Sequence, residues 1–278
     1  MKLNKLVRKI IRNAEEWDQR YLEVTVHSLE RHEDYRTFEQ TKRQFLSRKN
    51  RGEFNLTNPY SKRLWLPELL HSFLTIIGDR DEAGLDDDYG VLKVACALIT
   101  FTHKEWACAD NNIQFDIGRA KQMVRNALMG TDFIGCFEAA VYNNEEWETD
   151  GVVGKLVSFH CHAISWASSY SLLSRLRSRI KGRFEPILGN RFGVRFAKLK
   201  TEKDLVTAVA YIAKMPTLGY RTFKRENGKK RQESSKLSFK SRHHLFTALK
   251  KYDLFKFWLF GGGWSKGNQS RSCQAERI

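Results

Sequence analysis

The sequence predicts an α+β protein: an antiparallel sheet with helices on one face, preceded by a mostly helical region. Three observations carry that reading. From residue 91 to 215, stretches of strand-like alternation trade places with stretches of helical spacing, and two strand stretches follow one another as a hairpin. Before residue 88 the apolar positions recur only at helical spacing. Finally, 41% hydrophobic residues in 278 is enough to build a real core.

The elements follow in chain order. Leu3, Leu6, Val7, Ile10 and Trp17 are helically spaced, which reads as an amphipathic helix rather than the apolar block of a signal peptide. A basic loop over 47–61 and a second apolar helix over 64–77 come next. Asp79, Asp81, Glu82, Asp86, Asp87 and Asp88 form an acidic linker that lacks EF-hand spacing and reads as a solvated loop. The pattern then runs strand (91–102), helix (114–129), strand (131–142), a polar loop (143–151), strand (153–166), helix (169–180), strand (191–199) and helix (202–215). The last helix has a start signal, Thr201 with Asp204 three residues on, and Pro216 should stop it. These boundaries divide the chain into a helical region (1–88), a central domain (89–220) and a basic extension (221–278).

Charge narrows the partner. A formal charge of +16 points to a polyanion, most simply nucleic acid. Arg175, Arg177, Arg179 and Arg183 belong to one basic tract. Arg221, Lys224, Arg225, Lys229, Lys230 and Arg231 open a second, in which eleven Lys or Arg between 221 and 251 face only Glu226 and Glu233. The one-sided sign suits a phosphate backbone. Phe184, Phe192, Phe223 and Phe239 are interleaved and can stack unpaired bases, although Phe192 suits a core equally well. Five cysteines without a Cys-x-x-Cys pair read as reduced residues of a cytoplasmic protein, and the longest late apolar stretch, 255–260, is too short for a bilayer.

The chemistry concentrates in two places. In Phe159-His160-Cys161-His162-Ala163 on a strand, the two imidazoles leave one face, where they can grip one metal ion, while Phe159 and Cys161 point to the core. Two histidines hold an ion loosely, so a third ligand is expected. Glu138, a charge inside the apolar strand Phe133–Val141, comes opposite residues 157–160 when the hairpin folds about its polar loop. His103 is the alternative. Tyr211 and Lys214 are i, i+3 neighbours on the last helix, and no other of the nine tyrosines has a lysine at that spacing. Imidazole with carboxylate suits Mn²⁺. Mg²⁺ would need help from water and phosphate, and zinc fits less well because the site must admit a phosphate.

A His-hydrophobic-His strand followed by a Tyr-x-x-Lys helix resembles the HUH endonucleases, in particular the initiators of rolling-circle replication. Ile99-Thr100-Phe101-Thr102 is similar to an earlier strand motif of that family, so the resemblance covers about residues 91–216. Cys161 departs from it, standing where a bulkier apolar residue is usual. The resemblance implies a ferredoxin-like or RNA-recognition-like palm. It also implies a Mg²⁺ or Mn²⁺ site at His160, His162 and Glu138, with Tyr211 as nucleophile assisted by Lys214. The expected substrate is single-stranded or supercoiled origin DNA, cut through a covalent 5′-phosphotyrosine. No phosphate-binding loop of the form Gly-x-x-x-x-Gly-Lys-Ser/Thr occurs, so a host helicase is the expected partner. The tyrosine follows the histidines, unlike in conjugative relaxases, and related single-tyrosine transposases share the order but are much shorter. The competing expectation is a basic DNA- or RNA-binding protein without catalysis.

Overall fold

The computed structural model describes residues 91–149, 152–186, 193–213, 218–224, 230–249, 252 and 254–262. The expectations for residues 1–88, including the acidic linker, lie outside these residues, as do Lys214, Arg225 and Lys229.

The described chain begins with β1 (Val91–Ala109), α1 (Ile117–Leu128), β2 (Asp132–Thr149), β3 (Val152–Ala167), α2 (Tyr170–Ile180), β4 (Val194–Thr201) and α3 (Glu202–Ile212). It continues with β5 (Leu218–Lys224), β6 (Lys230–Lys236), α4 (Phe239–Leu249), α5 (Leu254–Phe257) and β7 (Trp258–Gly261). One sheet runs β4-β1-β3-β2-β5-β6, and β7 also pairs with β2. The first four strands are antiparallel throughout, whereas β5 runs parallel to β2. The boundary expected between residues 220 and 221 falls inside β5. Strands on both sides of it join the same sheet.

Local sequence explains the helix limits. The Asp116 side chain accepts from the Arg119 N–H at the start of α1, and Thr201 and Asp204 close a reciprocal capping box on α3. Gly130 and Gly182 adopt φ of 88° and 80° just past α1 and α2, the left-handed turn that ends a helix and that a side chain would strain.

Alternation decides what each face of the sheet buries. Phe101, Phe137, Phe159 and Cys161 point to one face and are fully buried. Phe115, just before α1, stacks on Phe159 with ring centroids 4.0 Å apart and planes 4° from parallel. Phe184, just after α2, packs on Phe101 at 5.0 Å and on Trp106 at 5.8 Å. Arg179 of α2 donates to the carbonyls of Ala127 and Met129 at the end of α1, tying the two helices together. The one-sided cover expected from sequence holds for α1 and α2, but α3 departs from it. Its Tyr211 comes over the other face, because β4 lies at the sheet edge and the chain leaves it on the histidine side.

Two strand limits also differ from expectation. β1 runs on through Thr102, past a register shift between Thr102 and Ala107, to Ala109. The polar stretch expected to be a loop is strand, with Asn143 paired to Lys155 and Asn144 to Gly154. Polar composition there reports solvation of the ribbon and not an absence of backbone pairing.

Candidate metal and nucleophile site

Pairing register assembles the site. Glu138 of β2 is directly opposite His160 of β3, and His160 is opposite Thr102 of β1. One step along, Thr100, His162 and Cys136 form the adjacent row. Directly paired residues share a face, so six side chains from three strands point the same way. The in-phase register that Glu138 requires is present.

Glu138, His160 and His162 are all buried, at 7%, 8% and 2% exposure, and each offers a ligand atom within 4.8 Å of the others. Glu138 Oε2 lies 3.4 Å from His162 Nε2 and 3.7 Å from His160 Nε2. Ligands held at about 2.1 Å from one ion sit roughly 3.0–3.5 Å apart, close to the two distances from Glu138.

Hydrogen bonding at the far side of each ring sets which nitrogen faces this point. His160 Nδ1 is 3.5 Å from the Ser158 carbonyl, which can only accept, so the proton belongs on Nδ1 and the Nε2 lone pair faces Glu138. His162 Nδ1 is 2.9 Å from the Thr100 hydroxyl. With the hydroxyl accepting, its Nε2 lone pair also faces the carboxylate. Three electron-rich atoms converging in a buried space need positive charge between them, either protons or a metal ion. This Glu/His/His group can hold a metal ion.

The ring of Tyr211 stands edge-on to His162, with centroids 4.6 Å apart and planes at 68°. It is 41% exposed, among the few large apolar side chains of the described residues left so open. The inner side of its helix explains the placement: Leu205, Val206, Val209 and Ile212 are buried, which fixes the rotation that presents Tyr211 at the site mouth. A further ring contact lies within the group, where His160 and His162 meet edge-on at 4.6 Å.

The alternative ligand, His103, is excluded by alternation. It follows Thr102 and so points to the opposite face, where it packs against Trp106 and Phe184. Burial there lowers its pKa. Cys161 points to the opposite face from the histidines, and burial pushes the Cys96 thiol up to about 12, so it stays protonated.

Comparison with models of protein families, with curated proteins and with solved structures finds no match. The site therefore has to be read from its own geometry.

The basic residues divide. Arg175, Arg177, Arg179 and Arg183 are exposed on or just after α2, away from the histidine face, and Arg179 is engaged with the end of α1. Arg221 and Lys224 lie on β5, and Lys230 and Arg231 on β6, so this part of the second tract runs along the β5–β6 edge of the sheet. Sequence reasoning missed Arg195 as a site residue. It is exposed on β4 and paired with Thr100, which puts Arg195, Thr100, His162 and Cys136 in one row across four strands. The signal was available only as an arginine inside a strand, and its face depends on register.

Proposed function

We propose that this protein is a metal-dependent DNA endonuclease of the HUH type, which nicks and rejoins one strand of an origin to initiate rolling-circle replication. The observation that carries the reading is the Tyr211 ring set edge-on against His162, above the buried Glu138, His160 and His162. The connectivity β1-α1-β2-β3-α2-β4 with sheet order 4-1-3-2 supports the finer description as a ferredoxin-like palm.

Mn²⁺ or Mg²⁺ is the proposed ion, and when bound it supplies Lewis-acid polarisation of a phosphate oxygen. The residues divide the remaining work. His160, His162 and Glu138 hold their ligand atoms in a fixed cluster on stiff strands. Thr100 anchors the His162 ring at Nδ1, which leaves Nε2 toward the Glu138 carboxylate. Tyr211 attacks phosphorus through its phenolic oxygen, the bond to the 3′-oxygen breaks, and the products are a 5′-phosphotyrosine and a free 3′-hydroxyl. Arg195 and Lys214 add positive charge toward the phosphate. Arg221, Lys224, Lys230 and Arg231, with Arg225 and Lys229, would follow the backbone of single-stranded or supercoiled origin DNA. A host helicase would open the duplex.

A purely binding role explains the charge of +16 but not a carboxylate and two imidazoles gathered in a buried space. The test is incubation with labelled single-stranded DNA and Mn²⁺, followed by denaturing electrophoresis. A labelled protein band that disappears in chelator is the expected outcome. Reversible binding with no covalent band at any origin tried would leave a nucleic-acid-binding protein instead.

A further inference from the structure

At the far end of the strand that carries the histidines, the structure has a cleft of about 600 Å³ that the chemistry above does not use. That volume is in the range of small-ligand sites. Trp166 and Phe260 line it from the histidine face of the sheet, and the Phe260 ring lies nearly parallel to that of Trp258, at 13°. Met129 and Leu172 stand at the lip, 67% and 37% exposed.

Arginines stand at this end of the sheet. Arg125 lines the cleft, whereas Asp132 is the one carboxylate residue among the lining residues. Leu172, Arg175 and Arg179 fall at i, i+3 and i+7, so they share one stripe of α2. Arg179 is bound to the carbonyl of Met129, a residue that lines the cleft, so a second guanidinium stands beside Arg125 at this end of the sheet. An aromatic and apolar hollow with Arg125 in its lining and Arg179 beside it matches a nucleotide: an unpaired base inside, a flanking phosphate on a guanidinium.

We infer that this cleft is a subsite for an unpaired nucleobase of single-stranded DNA, about 13 Å along β3 from His162, four residues away. The inference rests on the proposed DNA substrate but not on cleavage. A strand a few nucleotides long engages the cleft and the metal group together, and the base seated beside Phe260 sets the register of the scissile phosphate.

The test is fluorescence anisotropy on the full chain with a labelled single strand of about 12 nucleotides, and with a strand of equal length whose residues are all abasic. Leu172→Glu and, separately, Met129→Glu should weaken binding of the base-bearing strand roughly tenfold, since one lost base contact is worth 1–3 kcal/mol. The abasic strand should change much less. Both side chains are already exposed, so the fold should tolerate either change, and an unaltered melting temperature checks this. Unchanged affinity in both variants, or equal losses on the two strands, overturns the subsite. Anisotropy needs no cleavage, so absence of a covalent adduct would sink the nuclease reading while leaving this result to stand by itself.

Discussion

At the scale of single residues, the site depends on which atoms face one another. Tyr211→Phe removes one oxygen from an exposed ring whose helix is held by other residues, so folding, DNA affinity and metal binding should persist while the covalent adduct disappears. Peptide mass spectrometry of the wild-type adduct checks the assignment, and a nucleotide on Tyr220 or a serine would contradict it. His160→Ala with His162→Ala should abolish metal binding, read by calorimetry with Mn²⁺, and abolish nicking too, with DNA affinity largely kept because the basic tracts supply it. Thr100 offers a subtler test. Its hydroxyl is 2.9 Å from His162 Nδ1, and loss of such an outer partner costs about 10–100-fold in metal affinity. Thr100→Val should raise the Mn²⁺ concentration for half-maximal activity by that factor, and Thr100→Ser should restore it. A Val variant with the wild-type titration would remove Thr100 from this role.

At the scale of elements, α3 is the part whose stability most directly sets the position of Tyr211, the proposed nucleophile. Thr201→Ala removes the cap and should cost about 1 kcal/mol, measured by chemical denaturation. Asp204 adds an acid dependence. Burial pushes its carboxyl up, but hydrogen bonds from the Lys200 and Thr201 backbone N–H groups outweigh that and hold it below its ordinary value of 3.8. The folded pKa is the lower one, so its stabilisation is complete above the unfolded value and is lost as pH falls from about 3.8 through the folded value. The wild type should lose more stability across that window than Asp204→Asn, and parallel curves would contradict it. The capping box was legible because it is a local signal, whereas α3 ends at Ile212, short of the residue 215 expected from Pro216. The length of β2 was not legible, since Asn143 and Asn144 are polar whether paired or looped, and only the partners Lys155 and Gly154 settle it.

At the scale of the molecule, the excess of 48 Lys and Arg over 32 Asp and Glu should govern affinity for DNA. Binding to single strands should fall steeply with salt, with a log–log slope of about −0.7 for each phosphate neutralised. The His160 and His162 double variant should keep that slope, because the metal group contributes little to the long-range field. A salt-independent affinity would mean that the charge does not contact the backbone. No helix among the described residues is long and apolar enough to cross a membrane.

What the sequence determined by itself was everything with a short period or a local cap. The alternation that puts His160 and His162 on one face, the burial of Phe159 and Cys161 on the other, the start of α3 at Thr201 and the order of the central elements all follow from contacts a few residues long. What the tertiary structure decided was every relation across strands. A shift of one residue between β2 and β3 would have sent Glu138 to the opposite face, and the same parity removed His103 from the site and brought Arg195 into its row. The side of the sheet on which α3 lies is equally non-local, because it depends on β4 pairing with β1 at the edge. Spacing therefore nominated Tyr211, and packing of Leu205, Val206, Val209 and Ile212 against the sheet set it beside His162.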